Sequence, residues 1–385
     1  MLTADCNLRC DYCYQSRLSR RSMPWGTLKA AIDLLRSSRR PEVTLAFYGG
    51  EPLLALPLLR RAVHYASASR PGKPLVRFRL TTNGMLLDRD AAAFLAAHRV
   101  ATRLSFDGVK AVQDRRAPGS FARLDALLVS LRNDHPSYFR DQLEVAVTLT
   151  AASIPWLAES VEHFLIREVR SIRVSPRWTD DPAWDESCPE ELDRQLSRLH
   201  RACLAHYERT GTVPLQLFGR AAGEGRAAGE EGPCSAAIGD ALTVDVDGQV
   251  SGCVLFVASY RAPHLEPLAA VLGRLRLGAV TDPEFPQRLA AYPAAARDSR
   301  LFEPRGARRS SHGSCGECAA RTQCAICPAS LLGASVHGGA AQVPELPCAF
   351  NRLAARYRAR FPPQPSLADV LRGRAGPLPL PASGP

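Results

Sequence analysis

Long apolar runs are missing from this 385-residue chain. No stretch approaches the ~20 apolar residues that a membrane span needs, so no membrane partner is expected. Only five residues stand before the first cysteine, Cys6, and they form no secretory signal peptide. Lysine is nearly absent: three of the 49 basic residues are Lys and the rest are Arg. The net charge of +11 is therefore carried by arginine. The Arg, Ala and Pro enrichment spreads along the whole chain, as a compositional bias does. Zinc-finger, helix-turn-helix and aromatic-studded sheet patterns are lacking, which excludes the usual nucleic-acid readers. An acidic peptide is still compatible with the basic balance. At 46% hydrophobic and 23% charged residues the composition is that of an ordinary globular protein. The length allows two or three domains.

Cysteine, in contrast, is plentiful. Twelve cysteines in so long a chain, several in C-x2-C pairs and without a signal peptide, read as metal ligands in a reducing cytoplasm rather than as disulfides. The most informative group is Cys6, Cys10 and Cys13, spaced C-x3-C-x2-C. Three thiolates supply three of the four iron ligands of a [4Fe–4S] cube. The fourth iron keeps an open position for a small chelating substrate, so such a cluster can do chemistry besides carrying electrons. A zinc loop is the bland alternative, but zinc sites usually show two paired C-x2-C half-sites. Tyr12, beside Cys13, fits a loop that wraps the cluster and offers an adenine a flat partner.

This segment, Leu2 to Tyr14, resembles that of the radical S-adenosylmethionine (SAM) enzymes. The resemblance implies that the amino and carboxylate groups of SAM chelate the unique iron. It also implies that reductive cleavage yields a 5′-deoxyadenosyl radical, which takes a hydrogen atom from substrate.

Hydrophobic period switches repeatedly between two and about 3.6 along the first half. Strand-like runs are Val43–Tyr48, Leu75–Thr82, Ala101–Phe106, Leu143–Leu149 and Ser171–Ser175. Amphipathic stretches between them are Leu28–Leu35, Leu53–Ala66, Ala91–Ala97, Phe121–Leu131 and Pro155–Ile166, with a last helix near Glu190–Tyr207. Alternating β and α units imply parallel strands with crossover helices. Together with a short first strand at Leu2–Ala4 they make six units. The expected fold class is therefore α/β: a partial (β/α)6 TIM-like barrel followed by a small cysteine-rich iron–sulfur domain with a β-hairpin. Active sites of such barrels lie at the C-terminal ends of strands, and the informative residues fall there.

After the second strand comes Gly49-Gly50-Glu51-Pro52, similar to the family's G-G-E-P motif that holds the amino group of SAM. Glycines let backbone approach a ligand closely, and Glu51 can pair with an ammonium group; a plain turn before a helix would explain the same residues. After the third strand stands Asn83, and at the fourth Ser105 and Asp107, positions where the resemblance implies contacts to SAM or to the radical cavity. Turn chemistry alone also favours Asn-Gly and Asp-Gly. Within Asp114-Arg115-Arg116, an arginine is implied to meet the SAM carboxylate, and Arg116 is the choice over its neighbour Arg115.

The second half carries Cys234, Cys253, Cys315, Cys318, Cys324, Cys327 and Cys348. Leu242–Val246 and Gln249–Cys253 flank Asp247-Gly248, a strong hairpin signal. The seven cysteines resemble the SPASM extension of radical SAM enzymes. Between Cys324 and Cys327 there are two residues, where that pattern commonly has three. The resemblance implies a first auxiliary cluster on Cys234, Cys253 and Cys327 and a second on Cys315, Cys318, Cys324 and Cys348. A pair of zinc sites on the same thiolates is the alternative. Cys188 and Cys203 match nothing and read as packing residues. The domain expectation is residues 1–210 for the barrel, 211–361 for the extension, and a Pro-rich disordered tail over 362–385, with a flexible Gly/Ala/Glu linker at Ala221–Gly232.

Enzymes with this extension mostly modify peptides, so the resemblance implies a maturase that oxidatively cross-links a ribosomally made precursor peptide. A sulfatase-maturing oxidase is the runner-up; that branch typically has Asp directly after the cysteine corresponding to Cys253, where this chain has Val254. A non-catalytic iron–sulfur electron carrier is a third reading, but a carrier needs no open iron. Implied partners are the precursor peptide, an external reductant such as a flavodoxin or ferredoxin, and a separate peptide-recognition protein or the second half of the chain, because no winged-helix module fits before Cys6.

Overall fold

The computed structural model describes residues 1–13, 15, 19–68, 72–177, 179–219, 239–260, 273, 275–298, 308–321, 324, 326 and 343–362. Its centre is a five-stranded parallel sheet of β1 (Glu42–Phe47), β2 (Leu75–Thr82), β3 (Ala101–Ser105), β4 (Leu143–Leu149) and β5 (Ile172–Pro176), paired in chain order. The crossovers between them carry α1 (Trp25–Arg36) ahead of β1, α2 (Leu56–Ser67), α3 (Arg89–Ala97), α4 (Lys110–Gln113), α5 (Ser120–Asp134), α6 (Pro136–Gln142) and α7 (Leu157–Ile166); α8 (Cys188–Thr210) follows β5. This is the expected mixed α/β architecture with a partial-barrel sheet.

Strands alternate sharply. On β4, Leu143, Val145, Val147 and Leu149 are buried and the residues between them are not. The buried set joins Phe78, Leu80, Leu104 and the apolar stripes of the helices in one core. Helices α1, α2, α3, α5, α6 and α7 thus cover one face of the sheet, and among the described residues the opposite face is left half-exposed to exposed.

The expected first strand, Leu2–Ala4, is not one. Only Thr3 makes bridges, antiparallel to Ser22 and parallel to Gly49. The segment nevertheless aligns with the end of β1: Leu2 N–H donates to Tyr48 O (2.8 Å), Gly50 N–H to Thr3 O (3.0 Å) and Glu51 N–H to Asp5 O (2.8 Å). It is too short for a ladder because it turns at once into the cysteine loop. At the far edge Leu215 makes a similar parallel bridge to Ile172.

The hairpin forms where the sequence signals it: β6 (Thr243–Val244) pairs antiparallel with β7 (Gln249–Ser251). Gly248 takes φ +88° in the turn, a conformation glycine tolerates. A strand not foreseen, β8 (Arg276–Ala279), extends this sheet and is followed by α9 (Phe285–Asp298). The hairpin leans on the start of the chain, with Val246 and Val257 packed against Met1 and Ala4. Short β9 (Arg309–Ser310) and β10 (Gly313–Ser314) precede Cys315.

The last helix, α10 (Glu345–Arg358), carries Cys348 yet packs into the barrel core through Leu346, Phe350 and Tyr357. Tyr357 donates to Asp193 on α8 (2.7 Å) and Arg358 Nε to Leu217 O (2.8 Å). Cys188 and Cys203 are buried in that same core, and burial pushes the Cys203 thiol up to about 12. No helix among the described residues is long and apolar enough to cross a membrane. Ala221–Gly232 and residues 363–385 lie outside the described residues.

Candidate functional site

The C-terminal ends of β1, β2 and β3 meet the cysteine loop in one place. Cys6, Cys10 and Cys13 lie close enough for each charged thiolate to oppose charge on another: burial, then Glu51, Cys10 and Cys13, push the Cys6 thiol above its ordinary value. Burial does the same at Cys13, with Cys10 adding to it. Within the loop Cys13 N–H donates to Cys10 O (3.1 Å), and Leu8 N–H points at the Cys6 sulfur (3.4 Å). The Asn83 side-chain amide, from the end of β2, donates to Asn7 Oδ1 (2.8 Å) and reaches the Cys6 sulfur (3.9 Å).

Gly49-Gly50-Glu51-Pro52 is pressed directly against this loop. A Cβ on Gly49 would stand 2.5 Å from Thr3 O, and one on Gly50 would overlap the Asp5 carbonyl. Side chains at these positions would force the two loops apart. Pro52 opens the single turn that leads into α2. Glu51 is fully buried. Its carboxylate accepts bonds from Leu53 N–H (3.0 Å), Thr82 Oγ1 (2.7 Å) and Asn83 N–H (2.7 Å). Burial still raises its pKa against these donors. Glu51 is therefore a fixed post tying the β1 loop to the end of β2. A carboxylate has about four lone-pair sites, and most of this one's are already used within the protein.

Opposite stands Asp107, buried past the end of β3. The Tyr12 hydroxyl donates to its Oδ2, Thr148 N–H to its Oδ1 (2.9 Å), and its own N–H to Gln113 Oε1 (2.8 Å). Burial and the Asp107 charge hold the Tyr12 phenol well above its ordinary value. The hydroxyl end of Tyr12 thus anchors the cysteine loop across the barrel mouth. Arg116 enters the same site: Nη1 donates to the Ser105 carbonyl (2.7 Å), the guanidinium lies 3.8 Å from Asp107, and it meets Cys10. Its Nε is buried without a partner. Burial opposes its charge, but Asp107, Tyr12 and Cys10 outweigh that and keep the guanidinium ionised. Arg115 instead faces out toward Asp11, 3.7 Å away. Thr82, Asn7 and Gln113 complete the site without a prior functional assignment. Gln113 sits in a short helix, where nothing in the local sequence distinguishes it.

Three thiols on one loop, with a buried, unpartnered Arg116 Nε beside them, fit a cluster with one ligand-binding iron. Among the described residues no three His, Cys, Asp or Glu side chains converge as ligands of a single ion. A four-iron cube spreads its thiolates over separate irons and needs no such convergence.

The second cysteine group also gathers. Cys315, Cys318, Cys324 and Cys348 all line one cavity of about 480 Å³, with Arg308, Arg352 and His312 around them. Ile326, Val343 and Cys348 form a small apolar cluster against Cys315 and Cys324. Burial and the neighbouring thiols push Cys315 and Cys348 upward. Of the other set only Cys253 is described, half-buried after β7; Cys234 and Cys327 lie outside the described residues.

Residues 1–134 match the radical SAM superfamily. Over 276 residues the chain is 27% identical to a GTP 3′,8-cyclase of Mycolicibacterium smegmatis, covering 66% of this chain and 72% of that one. It is 29% identical over 120 residues to a cysteine-type anaerobic sulfatase-maturating enzyme of Clostridium perfringens, covering 29% of this chain but 32% of that enzyme. An uncharacterized protein of Methanocaldococcus jannaschii matches at 27% over 59% of its own length. The chain thus spans less than two thirds of several curated relatives. Among solved structures, native anSMEcpe with bound AdoMet and Kp18Cys peptide superposes with a TM-score of 0.69 at 17% identity, covering 93% of this chain and 95% of that one. Streptococcus suis SuiB bound to S-adenosylmethionine gives 0.53 at 14% identity, covering 90% and 75%. These likenesses concern the fold.

Proposed function

We propose that this chain, a radical SAM enzyme by its residues 1–134, oxidatively modifies a ribosomally made peptide, most simply by cross-linking it. The observation that carries the reading is the pair of separate cysteine sets: an open three-thiol loop at the barrel mouth, and a four-thiol cavity beyond it. A single-cluster enzyme has no use for the second set. The full-length fold likeness to anSMEcpe, solved with AdoMet and a peptide, supports a peptide as substrate.

In this reading Cys6, Cys10 and Cys13 hold the [4Fe–4S] cluster, and Cys315, Cys318, Cys324 and Cys348 hold an auxiliary one. Cys253, with Cys234 and Cys327, would hold another. When bound, the first cluster and SAM supply a 5′-deoxyadenosyl radical that abstracts a hydrogen atom. The chain's own part is positioning. Asn83 steadies the Cys6 sulfur, and the glycine loop lets the cysteine loop lie directly against the end of β1. Arg116, charged and with Nε unspent, offers a donor to the SAM carboxylate. Asp107 keeps Tyr12 and Arg116 in register rather than touching the substrate directly. Residues 1–210 form the barrel in this account and 211–361 the extension, with α10 clasping the two. An external reductant such as a flavodoxin or ferredoxin supplies the electron.

The test is anaerobic reconstitution, reduction with dithionite, and incubation with SAM and short peptides encoded beside the gene. The expected result is 5′-deoxyadenosine together with a peptide that has lost two hydrogen atoms. SAM cleavage with every such peptide returned unchanged would count against it. Sulfatase maturation is the second reading, favoured by the likeness to the Clostridium perfringens enzyme. It predicts conversion of a peptide cysteine to an aldehyde, and Val254 after Cys253 offers no carboxylate for that reaction.

A further inference from the structure

The open face of the sheet has an unusual lining. A closed barrel fills its interior with bulky Val, Ile and Leu. Here the face away from the helices carries arginines at Arg77, Arg79, Arg103 and Arg173. Three of them are matched: Arg77 pairs with Glu42 (2.9 Å), and Arg103 and Arg173 share Glu144. Arg79 is not. It is exposed, and its guanidinium has no ion pair or hydrogen bond among the described residues. Its neighbours in register are Ala46 on β1 and Ala101 on β3, both too small to cover it. One carboxylate serving two arginines, beside a third with none, leaves the face positive. It lies below the strand ends that hold Asn83 and Ser105.

We infer that Arg79 anchors a carboxylate of the substrate, so that the peptide modified by this enzyme carries an acidic group within about four residues of the one attacked. This rests on the peptide reading above. The span follows from the rise of ~3.3 Å per strand residue: Arg79 is four positions below Asn83, about 13 Å along β2. An extended peptide covers that distance in about four residues. The guanidinium fork matches a carboxylate with two parallel bonds, and a charge-assisted pair of this kind discriminates acid from amide.

The experiment exposes the full-length, anaerobically reconstituted protein to three pools of randomised fluorescent octapeptides. One contains Asp and Glu and has amidated C termini. In its twin Asn and Gln replace them. The third is the twin with free C termini. Retained peptides are identified by mass spectrometry for wild type, Arg79→Gln and Arg77→Gln. Wild type is expected to retain acidic over amide peptides roughly tenfold, Arg79→Gln to lose that preference, and Arg77→Gln to keep it. Enrichment of the third pool instead of the first assigns the carboxylate to the peptide C terminus. Retention without regard to charge, or a preference surviving Arg79→Gln, overturns the Arg79 assignment alone. Retention of no peptide, or Arg79-dependent binding of GTP in place of peptide, overturns the peptide reading beneath it.

Discussion

The loop of Cys6, Cys10 and Cys13 is pinned by polar contacts from distant parts of the barrel, whereas three of the four cysteines at the C-terminal cavity sit in a small apolar cluster with polar groups lining the rest of the wall. Tyr12 is tied to Asp107, Arg116 meets Cys10, and Asn83 reaches Cys6 and Asn7. At the cavity Cys315, Cys324 and Cys348 pack with Ile326 and Val343, and Arg308, His312 and Arg352 line the same wall. Polar pinning fixes direction, because hydrogen bonds need aligned donors. Apolar seating fixes position and lowers solvent access, and solvent access is one of the levers that set a cluster's potential. The first arrangement suits a site that must aim a small ligand, the second one that passes electrons.

Breaking the second region while sparing the first should have the largest effect. Cys318→Ala with Cys324→Ala is expected to abolish peptide modification and remove about four irons per chain, while reduced protein still forms 5′-deoxyadenosine; metal analysis and chromatography of the nucleoside read both. Next comes the contact between the two mouth loops. Gly50→Ala puts a methyl group into the Asp5 carbonyl, and overpacking of this kind costs about 1–3 kcal/mol. Denaturant unfolding should show that loss, and iron retention should fall with it, whereas Gly26→Ala, with open space around it, leaves both unchanged.

A narrower effect, on ligand binding and not on iron content, is expected from Tyr12→Phe. It removes a bond to a charged acceptor, worth about 1.5–3 kcal/mol, and should weaken SAM binding by roughly tenfold in equilibrium dialysis without changing iron content. The mildest perturbation is pH at the clasp between α8 and α10. Burial, with Arg360 and Arg201 nearby, lowers the pKa of His200. The unfolded state keeps a His near 6.5, so it binds more protons and stability falls as pH drops below about 6.5. Asp193 acts in the same direction: despite partial burial, its bonds to Arg356 and Tyr357 hold its carboxyl below the ordinary range. That contribution is present above the unfolded carboxylate value and is lost as pH falls through the lowered one. Between pH 7.5 and 5.5 only the His200 contribution changes, so the hydrogen-exchange protection of residues 345–358, corrected for the intrinsic exchange rate at each pH, should fall while that of β4 holds.

Much of the barrel was legible because alternation is a local signal. Leu75–Thr82 and Leu143–Leu149 are strands over the expected bounds, since one buried face marks every second residue. Leu2–Ala4 reads as a strand for the same reason, but strand pairing depends on what lies alongside, and only Thr3 finds partners. Helix α6 gives no such signal, because it opens on Pro136 and its apolar residues, Tyr138 and Phe139, are adjacent in a seven-residue segment too short to show a period. In β8, Gly278 at φ +85° weakens a pattern already only four residues long.

At the site, residue types were readable and partners were not. The donors to Glu51 come from Thr82 and Asn83, and the acceptor of Tyr12 lies 95 residues away at Asp107. No periodicity encodes such pairs. Glu51 reads from sequence as a free carboxylate for an ammonium group, and folding turns it into a buried tie. The cysteine spacing, by contrast, needs no tertiary information, because three ligands on one short loop are brought together by the loop itself.

The most direct measurement is iron per chain after anaerobic reconstitution, for wild type and for the Cys6→Ala, Cys10→Ala, Cys13→Ala triple variant. Loss of about four irons, together with all 5′-deoxyadenosine formation, is the predicted result. An unchanged iron content, or zinc in its place, would contradict the assignment of the barrel-mouth loop as the catalytic cluster site.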